Sequence, residues 1–68
     1  MREIVITTEV IRLGQFLKLA DVVELGSDVK SVLADGGVRV NGVREVRRGR
    51  QLGRGDVVSV GNTDLRVG

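Results

Sequence analysis

The chain has no cysteine, no histidine, no proline, no tryptophan and no tyrosine, and a single phenylalanine among its 68 residues. Without cysteine and histidine there are no disulfide staples, no thiol nucleophile, no imidazole base and none of the usual zinc ligand sets. Without tryptophan and tyrosine, the aromatic platforms on which many RNA-binding modules stack splayed bases are missing. Long apolar runs are also lacking. The opening MREIVITTEVIRLG holds no apolar stretch of the length a signal peptide needs, and nothing approaches the roughly 18 residues that span a bilayer. A cytoplasmic protein with no membrane partner is expected.

What is present describes one small domain over residues 1–68. A chain of this size buries only about 60% of the surface its unfolded form exposes, so the core has to be compact. The hydrophobic and charged fractions, 41% and 29%, are those of a folded globular protein rather than a disordered chain. Net charge is only +2, but it is unevenly spread. Within VRVNGVREVRRGRQLGRGD, residues 39–54 carry Arg39, Arg44, Arg47, Arg48, Arg50 and Arg54 against one acid, Glu45, while the rest of the chain is net acidic. Such polarisation marks a polyanion binder.

Local patterns place these arginines. EIVITT alternates Ile4 and Ile6 with their neighbours and predicts a first strand ended by Thr7-Thr8-Glu9. From Arg12 the period changes, and Leu13, Phe16, Leu17 and Ala20 form the apolar face of a short helix, with Arg12, Gln15 and Lys18 opposite. DVVELG, residues 21–26, reads as a connector whose glycine supplies a helix-ending or turn conformation. Ser27 is then the N-cap of a second helix, with Asp28 in its first turn. Val29, Val32 and Leu33 face inward, Lys30, Ser31 and Ala34 outward, and Gly36-Gly37 ends the helix. VRV, Asn41-Gly42 and VREV predict a two-residue type I′ hairpin, with Val40 opposite Val43 and Arg39 opposite Arg44. Like charges opposite each other destabilise a sheet by about 0.2–1 kcal/mol, which points to an anion held between them. Val43 and Val46 cannot both face inward without a β-bulge. RRGRQLGRGD reads as a glycine-punctuated loop, DVVSV as a strand with Val58 and Val60 on one side, and GNTD as a turn into a last strand, LRV.

Catalytic readings find little support. The glycines at 49, 53 and 55 lack the Gly-Lys-Ser/Thr and the flanking strand and helix of a phosphate-binding loop. Asp21, Asp28 and Asp35 lie near helix ends, where solvation or capping explains them, and the serines have no histidine to activate them. No enzyme, metal site or small-molecule cofactor is expected. Arginine and lysine reaching phosphates and sugars remain, a chemistry that recognises the shape of structured RNA more than its sequence.

Residues 12–60 resemble the S-four RNA-binding domain, the module named after small-subunit ribosomal protein four. The resemblance is carried by RLGQFL, VLADGGVRVNG and LGRGDVVSV at their spacings, and is nearest to free-standing, single-domain bacterial members through GQFLKLADVV and RRGRQL. It implies an α+β fold of two short helices packed on a small, mostly antiparallel sheet, acting as a monomer on ribosomal or transfer RNA. It carries RNA contacts onto Arg12, Lys30 and Arg39 and onto the basic loop Arg47, Arg48 and Arg50. With Lys18, Arg44 and Arg54 from the charge pattern, these make up the candidate RNA-binding set. The chain departs from the wider family at Gly14, where an aspartate is common, and at Leu25-Gly26, where a Ser-Arg pair is common. That shifts the expected grip toward the hairpin and loop.

The loop arginines read as exposed side chains whose removal should cost little stability. Arg12, Lys30, Arg39, Arg44, Arg47, Arg48 and Arg50 are expected to share one continuous face, with Glu3, Glu9, Glu24 and Asp64 elsewhere. Two other readings stay open. VNG, LGRGD and VVSV also resemble the end of β-grasp sulfur carriers, and a protein-protein adaptor without nucleic acid would tolerate the same surface.

Overall fold

A computed structural model of the chain describes residues 1–23 and 26–68. Glu24 and Leu25, and with them part of the expected connector and of the departure at Leu25-Gly26, lie outside the described residues, as does the side chain of Ser27. The elements are β1 (Arg2–Ile4), β2 (Val10–Arg12), α1 (Leu13–Leu19), α2 (Gly26–Ala34), β3 (Val38–Val40), β4 (Val43–Arg44), β5 (Gln51–Gly53), β6 (Val57–Val60) and β7 (Thr63–Val67). Five strands form a sheet in the order β1-β7-β6-β3-β4, antiparallel except for the β1–β7 pair. β2 and β5 form a separate antiparallel ribbon. The two helices and the mostly antiparallel sheet make the α+β architecture that the pattern implied.

Both helices bury the faces their periodicity assigned. Leu13, Phe16, Leu17 and Ala20 from α1, and Val29 and Leu33 from α2, join Val38, Val40, Leu52, Val58, Leu65 and Val67 in one core, with Val32 and Val60 packed against its margin. α1 ends in a Schellman arrangement. The Val22 N–H donates to the Leu17 carbonyl at 3.0 Å and the Asp21 N–H to that of Lys18 at 3.1 Å. Asp21, not a glycine, takes the left-handed conformation this requires, at φ 60°. α2 begins at Gly26, so Ser27 falls inside its first turn rather than at its cap.

Two strands were not anticipated. β2 and β5 are three residues each, too short for alternation to register, and Leu52 is the sole apolar residue of an Arg/Gly-rich run, yet it is fully buried. The first strand covers Arg2–Ile4 and not the whole of EIVITT. Ile4 pairs with Val67, and beyond it only the Gly68 N–H to Ile4 and the Ile6 N–H to Gly68 bonds continue the ladder, both at 2.9 Å.

The Asn41-Gly42 hairpin has the anticipated register, Val40 with Val43 and Arg39 with Arg44, and both turn residues have positive φ, 52° and 83°. Asn41 also fastens the hairpin to the β5–β6 turn. Its Nδ2 donates to Asp56 Oδ1 at 3.1 Å and its Oδ1 accepts the Val57 N–H at 2.9 Å, while Asp56 Oδ2 accepts the Gly53 N–H at 2.8 Å. The motif pieces VNG and LGRGDVV are thus two halves of one clasp. After Arg44 no bulge turns the valines inward. Val43 and Val46 stay exposed, and it is Glu45 between them that is buried.

Candidate nucleic-acid interface

The arginine loop is organised by its one acid. Glu45 is 7% exposed and its N–H donates to the Val38 carbonyl, which draws the chain in over the end of β3. Its Oε1 accepts the N–H groups of Val46 and Arg47 at 3.0 and 2.9 Å and the Arg47 Nε at 3.2 Å. Its Oε2 accepts Arg47 Nη2 at 3.2 Å and faces Arg50 Nη1 at 3.5 Å. A carboxylate with so many donors strongly favours its charged form. The Arg47 side-chain hydrogen bond, followed by the Arg47 backbone N–H, holds the Glu45 pKa at about 2 against an ordinary 4.5. Asp56 is lowered as well, first by the Gly53 N–H and then by Asn41.

Both carboxylates bind protons less readily in the folded chain than in the unfolded one, so each contributes stability that is lost as pH falls, for Glu45 from above its ordinary 4.5 down through about 2. Melting temperature should fall across that window. Glu45→Gln should flatten the fall, measured by thermal unfolding at steps from pH 6 to pH 2.

This loop is seated on the start of α1. The Leu13 N–H donates to the Arg50 carbonyl at 2.8 Å and the Gly14 N–H to that of Arg48 at 2.9 Å, so the loop satisfies helix donors that would otherwise lack partners. Gly14 permits the approach. A Cβ there would lie 3.3 Å from Val29 Cγ1, 3.5 Å from the Arg48 oxygen and 3.6 Å from the Arg48 Cβ. Gly14 thus lies where α1, α2 and the arginine loop meet, and a side chain there would crowd Val29 first. Sequence reasoning recorded the glycine but had no local signal for its contacts, because Val29 and Arg48 come from distant parts of the chain.

Arg48 lines two of three adjoining surface recesses, and Gly49 connects one of these to the third. One is lined by Arg12, Gly14, Gln15, Lys18, Arg48 and Gly49, a second by Lys30, Leu33, Ala34, Val46 and Arg48, and a third by Arg47, Gly49, Arg50 and Gln51. Six of the nine candidate cations meet there, and none of the lining residues is acidic. Of the six, Arg12, Lys18, Lys30, Arg47 and Arg48 are exposed. Arg50 is half-buried and, like Arg47, bound to Glu45, so these two do not act purely as detached surface charges.

The other three candidate cations lie elsewhere. Arg54 Nη2 donates to the Ile6 carbonyl at 3.0 Å and ties the β5–β6 turn to the segment after β1. Arg39 lies between the fully buried Val38 and Val40, so it points to the sheet face away from the helices, and Arg44 is its cross-strand partner. That arrangement replaces the single continuous face with two separate groups of cations. Asp64 is not remote from all of them either, since it lines a recess with Arg39.

Comparison with known proteins places this geometry. The family model of the S4 domain, the S-four module, matches residues 4–68. The chain belongs to the S4 domain family. The match extends beyond the motifs at 12–60 to take in the end of β1 and all of β7, the strands that close the sheet. The chain is also 53% identical over 55 residues, covering 81% of its own length and 78% of the relative's, to the "Probable ribosome maturation protein RlbA" of Bacillus subtilis (strain 168). Among the described residues, no helix of this S4 domain is long and apolar enough to cross a membrane.

Proposed function

We propose that this S4 protein is a non-catalytic RNA-binding protein that holds structured RNA, ribosomal RNA first and transfer RNA second, in the course of ribosome maturation. The observation that carries the reading is the group of six cations around recesses joined through Arg48 and Gly49, with no acidic residue in their lining. Arg12, Lys18, Lys30 and Arg48 supply exposed charges, and Arg47 and Arg50 are held in a fixed geometry by Glu45. With Phe16 wholly buried, no aromatic face is available for stacking, so the grip falls on phosphates and sugars. The similarity to a ribosome maturation protein favours ribosomal RNA as the target class. The sulfur-carrier reading fits poorly, because two helices, α1 and α2, precede the β3–β4 hairpin where a β-grasp would open with one.

Affinity for a folded RNA hairpin should fall steeply with salt. Neutralising four to six phosphates gives a log-log slope of roughly −4 to −5, equivalent to about 250- to 1000-fold between 50 and 200 mM salt. Fluorescence anisotropy at five salt concentrations measures it. A slope near zero, or stronger binding to unstructured single strands than to hairpins, would overturn the proposal.

A further inference from the structure

The outer face of the sheet carries an arrangement that the cation group around Arg48 leaves unused. Strand register sets Arg44, Arg39, Ser59 and Asp64 in one row across β4, β3, β6 and β7. Beside the row is a recess lined by Gly36, Gly37, Arg39, Gly42, Ser59, Gly61 and Asp64. Its floor is open backbone. A Cβ added at Gly37, Gly42 or Gly61 would meet nothing within 4 Å, and Gly36, Gly42 and Gly61 hold positive φ that other residues rarely adopt. The Arg44 guanidinium lies directly over Gly36.

Arg39 and Arg44 stand opposite each other, both exposed, and neither has a carboxylate partner among the described residues. A directly opposed pair of like charges raises the energy of the sheet until an anion lies between them. The far end of the row has the reverse character, since Asp64 only accepts hydrogen bonds and would repel a bare phosphate. The neighbouring row, Val57, Arg66 and Glu3, has balanced charges. A ligand that fits is therefore anionic at one end and a hydrogen-bond donor at the other, and narrow enough to lie on a glycine floor. The sugar-phosphate edge of RNA has this character, with a phosphate between Arg39 and Arg44 and a ribose 2′-hydroxyl donating toward Asp64.

We propose that this face is a second RNA site, and that the protein bridges two RNA segments, one held around Arg48 and the other on the outer face of the sheet. The inference rests on the RNA-binding reading above. The segments are distinct because Arg39 and Arg44 stand on the sheet face away from the helices, whereas the cations around Arg48 belong to the two helices and the loop seated on α1.

The test uses two RNA hairpins of unrelated sequence, one with a donor and one with an acceptor fluorophore, mixed with the full chain. Energy transfer that depends on protein is expected, with two hairpins bound per protein. Arg39→Glu with Arg44→Glu should abolish the transfer while leaving the affinity for the tighter-bound hairpin within about threefold, because that site keeps its phosphate contacts. Hairpins of the same sequence in DNA should bridge poorly, and Asp64→Ala should reduce bridging by RNA. Saturation by one hairpin without transfer would overturn the bridging proposal and leave the RNA-binding reading standing. So would loss of the first binding event in the double variant, which would mean one continuous site. Transfer that survives the double variant, as from a protein dimer, would overturn it too, and equal bridging of RNA and DNA would overturn the ribose assignment. No binding of any RNA hairpin would overturn both readings together.

Discussion

Replacing Arg12, Lys30 and Arg48 together with alanine should weaken binding to a structured RNA on the order of 500-fold at 0.1 M salt and reduce the magnitude of the salt slope by about 2.7, as expected for three lost phosphate contacts. The three side chains come from the start of α1, the outer side of α2 and the loop after β4, which the Leu13 and Gly14 N–H bonds seat against α1. All three are exposed, and none makes an ion pair among the described residues. Each substitution should therefore change stability by no more than about 0.5 kcal/mol. The bonds that seat the loop are untouched, since the Gly14 and Leu13 N–H groups reach backbone carbonyls and the Arg12 N–H reaches Gln15 Oε1. An unchanged melting temperature with lost binding separates function from fold. Unchanged binding would place the RNA elsewhere on the molecule. Removing Arg47 and Arg50 instead would confuse the two quantities, because it strips a buried carboxylate of its cations.

Phe16→Ala should act in the opposite way, lowering stability by about 3–5 kcal/mol. The ring is fully buried in the middle of α1, in the same cluster as Leu17, Val29 and Leu33 from the helices and Val38, Val58 and Leu65 from the sheet. A chain of this length has a total stability of roughly 3–10 kcal/mol at ordinary per-residue values, so the substitution removes much or all of it. RNA binding should then disappear together with helical circular dichroism. An unfolding free energy from denaturant titration within about 1 kcal/mol of the parent would show that the core closes without the ring.

The fold was legible wherever the signal was local. Helix periodicity assigned the buried faces of α1 and α2, because an amphipathic stretch declares which side it buries within two turns. Asn41-Gly42 specified its hairpin, register included, because few residues accept positive φ twice in succession. The ribbon of β2 and β5 was not legible. Three-residue strands have no measurable period, and a lone leucine between Gln51 and Gly53 does not look like core until the segment that covers it is known.

The candidate site divides along the same line. Composition and charge spacing by themselves determined that the chain has no tryptophan, tyrosine, histidine or cysteine and that its arginines gather in one segment, and the motif spacing pointed to its family. Only the tertiary structure decided which cations act together. Arg47 and Arg48 are neighbours in the chain, yet one is fastened to Glu45 while the other lies against Gly14 between two helices. Arg39 and Arg44, a few residues away, are carried to the opposite side of the sheet by strand alternation. A long, charged side chain has no local preference strong enough to settle its face. The direction is set by the backbone it stands on, and that backbone is held by pairings between residues far apart in the chain.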